Sequence, residues 1–427
     1  MNRIFVFIFI ISIISSCGQG FKVKVANPSP APISTPIVNP VEMTGDYCTA
    51  WHSPTYYPHS LKIFVSCLQN GQWVIQNSPV DNSTSCSYNL EIHGWPHLFK
   101  GDNNEIYLDY SHCLGSDLDT KELTVKKYGN NSWTNISSSR VNLDQSTNTK
   151  LHDNTGGGSV GIIYKGVPRV FWETGGPNFE NTKGVLSSYI NNKWEHILIN
   201  DFQYTPRLTI NNDKLYLYFA KPTPTVYQYD GSNLSRFPLL PGAPSSTWTS
   251  LAFWRGNPVV SFSTDVRGAD NSWYTQVSHT KTAFYNGSNW ILTAGNVESS
   301  TCRDTGDSHL FVDSNDDLFI MYFDCTADGV STYPSRIHFR YRVSRWNTVT
   351  SSWIPFGNES DSLILSTKYE FLQDGDAILF SAIRAVDEMN GEHVVLKWQN
   401  GNFSQVGGLV QPSSTGYVYR PGNIIKL

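Results

Sequence analysis

An all-β fold assembled from repeated four-stranded antiparallel sheets is what this 427-residue sequence predicts, on three observations. Aromatic and β-branched residues alternate with polar ones in short runs, and Asn, Asp, Ser and Gly fill the breaks, the pattern of strands joined by hairpin turns. The composition, 39% apolar, 13% aromatic and 16% charged, suits a strand-rich, well-buried chain rather than a disordered one. The same plan of run, tight turn and run then recurs along most of the length.

One stretch shows a whole unit. From His309 to Phe356 the chain reads HLFVD, the turn SNDD, LFIMYFD, a long polar loop, RIHFRYRVSRW, the turn NTVTSS and WIPF. A lone sheet of this kind cannot bury both of its faces. Taken in order, the inner hairpins are HLFKGDNNEIYLDY (97–110), VGIIYKGVPRVFWE (160–173), RLTINNDKLYLYFA (207–220), SLAFWRGNPVVSFS (250–263), HLFVDSNDDLFIMYFD (309–324) and YEFLQDGDAILFSAI (369–383). Each is followed by an outer hairpin, such as VKKYGNNSWTNI, TAFYNGSNWIL or VVLKWQNGNFSQV.

The two ends supply one more unit. GYVYRPGNIIKL (416–427) reads as an inner hairpin with no outer one behind it, and LKIFVSCLQNGQWVIQ (61–76) as an outer hairpin with no inner one before it. Joined, they predict a seventh blade that closes a ring and removes the exposed edge a linear stack would keep. The expectation is therefore a single seven-bladed β-propeller over residues 46–427.

The turns carry two resemblances. The aromatic residue, turn and Trp of YGNNSW, YINNKW and WNTVTSSW resemble kelch repeats, although the Gly doublet of that family is absent from most units. YNGSNW and YDGSNL look like degenerate Asp boxes of sialidase-like propellers, without the full Ser-x-Asp-x-Gly-x-x-Trp. Both resemblances imply the propeller architecture, and neither transfers an activity.

Ahead of the repeats, Arg3 precedes an eleven-residue, almost wholly apolar run from Ile4 to Ile14, too short to span a bilayer and suited to a signal-peptide core. Ile14-Ser15-Ser16-Cys17 resembles the lipobox of bacterial lipoproteins. The resemblance implies a signal peptide over 1–16, a chain lipid-modified (palmitate among its acyl chains) at Cys17, and attachment to a membrane of the bacterial cell envelope. Gly18 after the cysteine favours the outer over the inner membrane. Five prolines between Ala26 and Val41 make an extended tether within 17–45.

Six further cysteines in an exported chain predict disulfides. Cys86 precedes the inner hairpin of the first full unit and Cys113 follows it; Cys302 and Cys325 hold the same places in the fifth. Equivalent positions predict equivalent bonds, which leaves Cys48 with Cys67. No Cys-x-x-Cys pair suggests zinc, and an Asp313-to-Asp317 run reminiscent of a calcium loop has Leu318 where glycine belongs, so no metal site is expected. No cofactor motif occurs, and a net charge of −5 without a basic tract excludes nucleic acid as a partner.

Turns within hairpins are short, while the connections between inner and outer hairpins are long in several units: Ser111 to Glu122, Thr174 to Lys183, Thr264 to Lys281 and Cys325 to Ser335. In a propeller those long connections share one face, where a rigid scaffold holds binding residues. Eight of eleven histidines fall there: His52, His59, His93, His97, His112, His152, His279 and His309. So do Trp51, Tyr56, Tyr57, Trp95, Trp248, Trp273, Tyr274 and Tyr333, aromatic groups that stack on sugars or anchor protein partners. The sequence thus favours a lipid-anchored binding protein for a glycan or protein ligand, through Tyr56, Tyr57, Trp95, Trp273, Tyr274 and Tyr333. The alternative is a polysaccharide lyase or glycoside hydrolase using His152, Asp153, Arg207, Arg303, Asp307 and His309 for acid–base work or carboxylate binding. A sialidase fits least, because its Arg-Ile-Pro motif is missing.

Overall fold

The computed structural model describes residues 43–55, 60–76, 80–83, 96–113, 121–136, 159–174, 183–200, 207–219, 223–240, 249–266, 277–297, 308–325, 339–360, 364–367, 371–385, 391–411 and 420–427. They form a seven-bladed propeller of four-stranded antiparallel blades, with no helix among the described residues.

From the axis outwards, blade 2 comprises His97–Lys100, Ile106–Cys113, Lys121–Gly129 and Ser132–Asn135. Blade 3 comprises Val160–Tyr164, Val167–Thr174, Lys183–Ile190 and Lys193–Ile199, and blade 4 Arg207–Asn211, Lys214–Phe219, Thr225–Tyr229 and Leu234–Arg236. Blade 5 holds Thr249–Trp254, Asn257–Val266, Val277–Tyr285 and Trp290–Leu292; blade 6 holds Ser308–Val312, Leu318–Cys325, Phe339–Asn347 and Ser352–Pro355. Blade 7 holds Leu372–Asp374, Ala377–Ala385, Gly391–Gln399 and Asn402–Gln405. A short strand, Ile364–Thr367, pairs with both blades 6 and 7 and joins them into one sheet.

The expected closure by the two chain ends is present, but it is divided differently. Blade 1 takes one strand from the C-terminal end, Arg420–Lys426, and three from the N-terminal end: Tyr47–Thr55, Ser60–Gln69 and Gln72–Ile75. Two strands from each end were expected. The stretch Pro421-Gly422 that reads as a turn runs inside the innermost strand, where Pro421 lies opposite Trp51 beside a register shift. Proline is tolerated in a strand on a sheet edge or at a bulge. Gly422 is required by a close approach: a Cβ there would meet the Ala50 carbonyl and lie 2.7 Å from the Pro96 carbonyl.

Tight turns explain the regularity. Asn130-Asn131, Asn191-Asn192, Asn212-Asp213, Asn70-Gly71 and Asn400-Gly401 all take two consecutive positive φ angles, the type I′ conformation that matches strand twist and favours Asn and Gly. The Asp-box-like turns work through side-chain capping. Asp230 accepts from the Ser232 and Asn233 amides at 2.8 and 2.7 Å, and Asn286 does the same for Ser288 and Asn289 at 3.0 and 2.8 Å. These amide hydrogen bonds hold the Asp230 carboxyl below the usual carboxylate range. Asp313 caps the Asn315 and Asp317 amides, so hairpin geometry accounts for that acidic run.

Burial is organised by interface. Each junction between neighbouring blades carries its own apolar cluster, including Leu98, Leu108, Ala50 and Val65 between blades 1 and 2, and Trp51, Leu379, Val395 and Ile424 between blades 7 and 1. The remaining clusters fill the other five junctions, so the core is itself a ring without a gap. Each large apolar side chain so buried contributes about 1.5–3 kcal/mol. Buried aromatic donors are satisfied across strands: Trp51 Nε1 donates to Ser66 Oγ at 2.9 Å and Trp172 Nε1 to Ser187 Oγ at 2.6 Å.

Cys48 and Cys67 face each other in register on blade 1 and are disulfide-bonded. Cys113 and Cys325 end the second strands of blades 2 and 6, as the repeat requires, while Cys17, Cys86 and Cys302 lie outside the described residues. So do residues 1–42, which contain the signal-peptide and tether readings.

Candidate functional site

Strand order fixes which face can be irregular. In blades 2 to 7 the first-to-second turn is tight, as is the third-to-fourth turn of every blade, and these turns lie on one face. Every undescribed stretch after residue 55 borders a second-to-third connection or a link between blades, and these share the opposite face. The scaffold of that loop face is described, and it consists of the starts of the innermost strands and the ends of the second ones.

A buried polar cluster sits on this scaffold at the junction of blades 2 and 3. His97 starts the innermost strand of blade 2 and lies in register with Asp109 on the second strand. Its Nδ1 is 3.0 Å from Asp109 Oδ2, and the two side chains are 6% and 0% exposed. Ser159, just before the innermost strand of blade 3, donates its hydroxyl to Asp109 Oδ1. The Gly161 amide also points at His97 Nδ1, 3.1 Å away. That nitrogen serves Asp109 as a donor or Gly161 as an acceptor, never both, so the cluster has two proton arrangements. Gly161 allows the blades to approach, since a Cβ there would strike the Phe99 ring and lie 2.6 Å from Asp109 Oδ2.

Neighbouring innermost strands are cross-tied at the same level. The Asn423 side chain of blade 1 accepts from the Leu98 amide at 2.7 Å and donates to its carbonyl at 2.8 Å. Between blades 5 and 6, the Leu310 amide donates to Ser250 Oγ at 2.9 Å and the Ser261 and Ser308 hydroxyls are 2.8 Å apart. His309 stacks on Phe371 with centroids 4.4 Å apart, which wedges it between blades 6 and 7. Arg207 is buried at the start of the innermost strand of blade 4, in register with Tyr218.

A second buried histidine lies between blades 7 and 1. His393 Nε2 is 2.5 Å from Ser381 Oγ, and the ring packs edge-on to Trp51 at 6.3 Å. Its Nδ1 has no partner among the described residues. Complete burial pushes the imidazole down to about 3. Ser187 and His196 form a comparable pair at 2.9 Å in blade 3, and burial lowers that histidine too.

Of the residues named for catalysis, Arg207 and His309 are described, and they stand on blades 4 and 6 with blade 5 between them. His152, Asp153, Arg303 and Asp307 lie outside the described residues, as do Tyr56, Tyr57, Trp95, Trp273, Tyr274 and Tyr333. Two expectations change. Trp51 is 1% exposed and stacked on Phe64 at 4.6 Å, a core residue rather than a ligand platform. His52, His97, His112, His279 and His309 lie within strands rather than loops, and His52 and His97 are buried. The cluster partners Asp109 and Ser159 went unnoticed in the sequence, although an aspartate inside the otherwise apolar run IYLDY is the signal that would have found it.

No protein-family model matches the chain, and no curated protein matches it in sequence. Among solved structures, the polysaccharide lyase Uly1 aligns over 90% of this chain and 94% of its own, with a TM-score of 0.51 and 9% identity. The Penicillium chrysogenum alpha-L-arabinanase complexed with arabinobiose covers 73% of this chain and 95% of its own at TM-score 0.46 and 12% identity. The SapL1 lectin in complex with alpha methyl fucoside covers 76% and 99% at 0.42 and 12%. At such identities the likeness is one of fold, and these structural neighbours include carbohydrate-active enzymes.

Proposed function

We propose that the loop face of this propeller binds a glycan, in a protein exported and held on the cell envelope by a lipid on Cys17. The observation that carries the reading is one-sidedness: tight turns close one face, while the opposite face receives every long connection on a cross-tied rim. The sequence of those connections includes Tyr56, Tyr57, Trp95, Trp273, Tyr274 and Tyr333, whose rings suit the apolar faces of sugars. Binding is favoured over catalysis because His97, Asp109 and Ser159 are 5%, 0% and 4% exposed, which makes them supports of the rim rather than groups open to a substrate.

An enzyme that cleaves polysaccharide is the second reading. Its support is the same buried carboxylate–histidine pair beneath the loop face. The test is incubation of the domain with a panel of neutral and acidic polysaccharides. Retained ligand without new ends supports a binding protein; new reducing ends identify a hydrolase and new unsaturated ends a lyase. Absence of both retention and cleavage across the panel refutes the glycan reading. For the anchor, Cys17→Ala is expected to leave unacylated precursor, and an acylated product from that variant would refute the lipobox.

A further inference from the structure

The face closed by tight turns carries a cleft of its own. It lies at the junction of blades 5 and 6, holds about 290 Å³, and is bordered by Trp254, Arg255, Asp317, Arg345, Trp346 and Phe356. Trp254 and Arg255 come from the first turn of blade 5, Asp317 from the first turn of blade 6, and Arg345 and Trp346 from the strand leading into its second turn. The cleft is therefore on the side of the ring away from the long connections.

Both guanidinium groups lie over aromatic rings. The Arg255 guanidinium lies 4.3 Å from the Trp254 ring centre and that of Arg345 5.4 Å from Phe356. A cation–π contact uses none of the N–H donors, so they stay available for hydrogen bonds. Arg255 gives Nε to Asp316 at 3.3 Å, and Arg345 gives one Nη to Asp317 at 3.5 Å. Among the described residues the Nη atoms of Arg255 and the remaining nitrogens of Arg345 have no partner, so each keeps donors for an anion. The matching turn of blade 3 is different: Lys165 is spent on the Asp230 carbonyl at 2.7 Å.

The ring floor continues from Trp346 to Phe284 at 4.9 Å and to Trp353 at 5.3 Å, so it is rigid. Beside the donors, Asp317 offers carboxylate acceptors to hydroxyl groups. Asn347 keeps its amide donors, because its Oδ1 is already used by the Val349 and Thr350 amides. A wholly aromatic anion would leave these polar groups without hydroxyl partners, whereas a sugar acid satisfies both sets. The volume is at the small end for ligand pockets, which run from about 300 Å³ upward, and it fits a single ring. We propose that this cleft is a second binding site, independent of the loop face, for one anionic sugar unit carrying a carboxylate or a sulfate.

The test is tryptophan fluorescence of the lipid-free domain titrated with glucuronate, a sulfated hexose, glucose and inorganic sulfate. Saturable quenching by at least one sugar anion is expected, with glucose and sulfate alone at least ~10-fold weaker. Arg345→Gln and Arg255→Gln should each weaken it by ~10-fold or more, and Arg345→Lys should fall between, because it keeps charge and loses the fork. Lys165→Gln, in the matching turn of blade 3, should leave it unchanged. The proposal is overturned if neither sugar anion saturates, if sulfate alone binds as well, or if the arginine variants titrate like the parent while keeping its melting temperature. Loss of quenching on Lys165→Gln would show that the response does not report this cleft and overturn it as well.

Discussion

Deleting residues 420–427 should collapse the ring rather than fray its end. The deletion removes the innermost strand of blade 1, which pairs with Tyr47–Thr55. Ile424 and Ile425, 3% and 8% exposed, are lost from two different junctions, those with blade 7 and blade 2. At about 1.5–3 kcal/mol each, their loss costs ~3–6 kcal/mol. Loss of Asn423 leaves the buried Leu98 amide and carbonyl without their partners, at about 1–3 kcal/mol for each. The exposed Lys426–Asp374 pair at 2.7 Å adds little. The total of about 5–12 kcal/mol rivals the whole stability of a typical domain, about 5–15 kcal/mol. Size-exclusion chromatography with a thermal melt is the assay, and aggregation or loss of the cooperative transition is the expected result. A truncated chain that stays monomeric and melts within a few degrees of the parent would show that these contacts are not what holds the ring.

Gly161→Ala should destabilise the domain by about 1–3 kcal/mol in a denaturant titration, since the added methyl overlaps the Phe99 ring; an unchanged midpoint would refute the tight packing of blades 2 and 3. Cys48→Ser with Cys67→Ser should lower stability by about 3 kcal/mol, the value expected for a bridge closing a short loop, as read from the same titration under oxidising conditions. Acid sensitivity should trace in part to His393. Its folded value of about 3 lies below the 6.5 of a free imidazole, so the unfolded chain takes up the proton first and stability falls as pH drops from 6.5 towards 3. His393→Gln should flatten that limb by up to about 1.4 kcal/mol per pH unit, and an identical pH profile would show that this ring does not titrate on unfolding.

The fold was legible because its determinants are local. The aromatic and aliphatic runs IYLDY and LFIMYF and the paired left-handed Asn and Gly turns belong to a few consecutive residues each. What was misread depends on distant neighbours. Pro421-Gly422 has the local chemistry of a turn, and only the backbones of Ala50 and Pro96 pressing on Gly422 show why glycine is needed within a strand. Trp51 looks like a ligand platform until Phe64 and Ser66 cover it. The site was half legible: His97 stood out as a histidine, but its pairing with Asp109 and Ser159 spans two blades, and no spacing along the chain encodes it.

The division of blade 1 also sets an order in time. The strand Arg420–Lys426 follows every other described strand in the chain, so it is the last of them to leave the ribosome and, on the proposed export route, the last to cross the membrane. Until it arrives, six complete blades and a three-stranded remnant have no seal, and Leu98 waits for the Asn423 side chain that will cap it. The Cys48–Cys67 bond can form before that moment, because both cysteines belong to strands made at the outset. On that route, oxidation would prepare the receiving strand and arrival of the final residues would lock it.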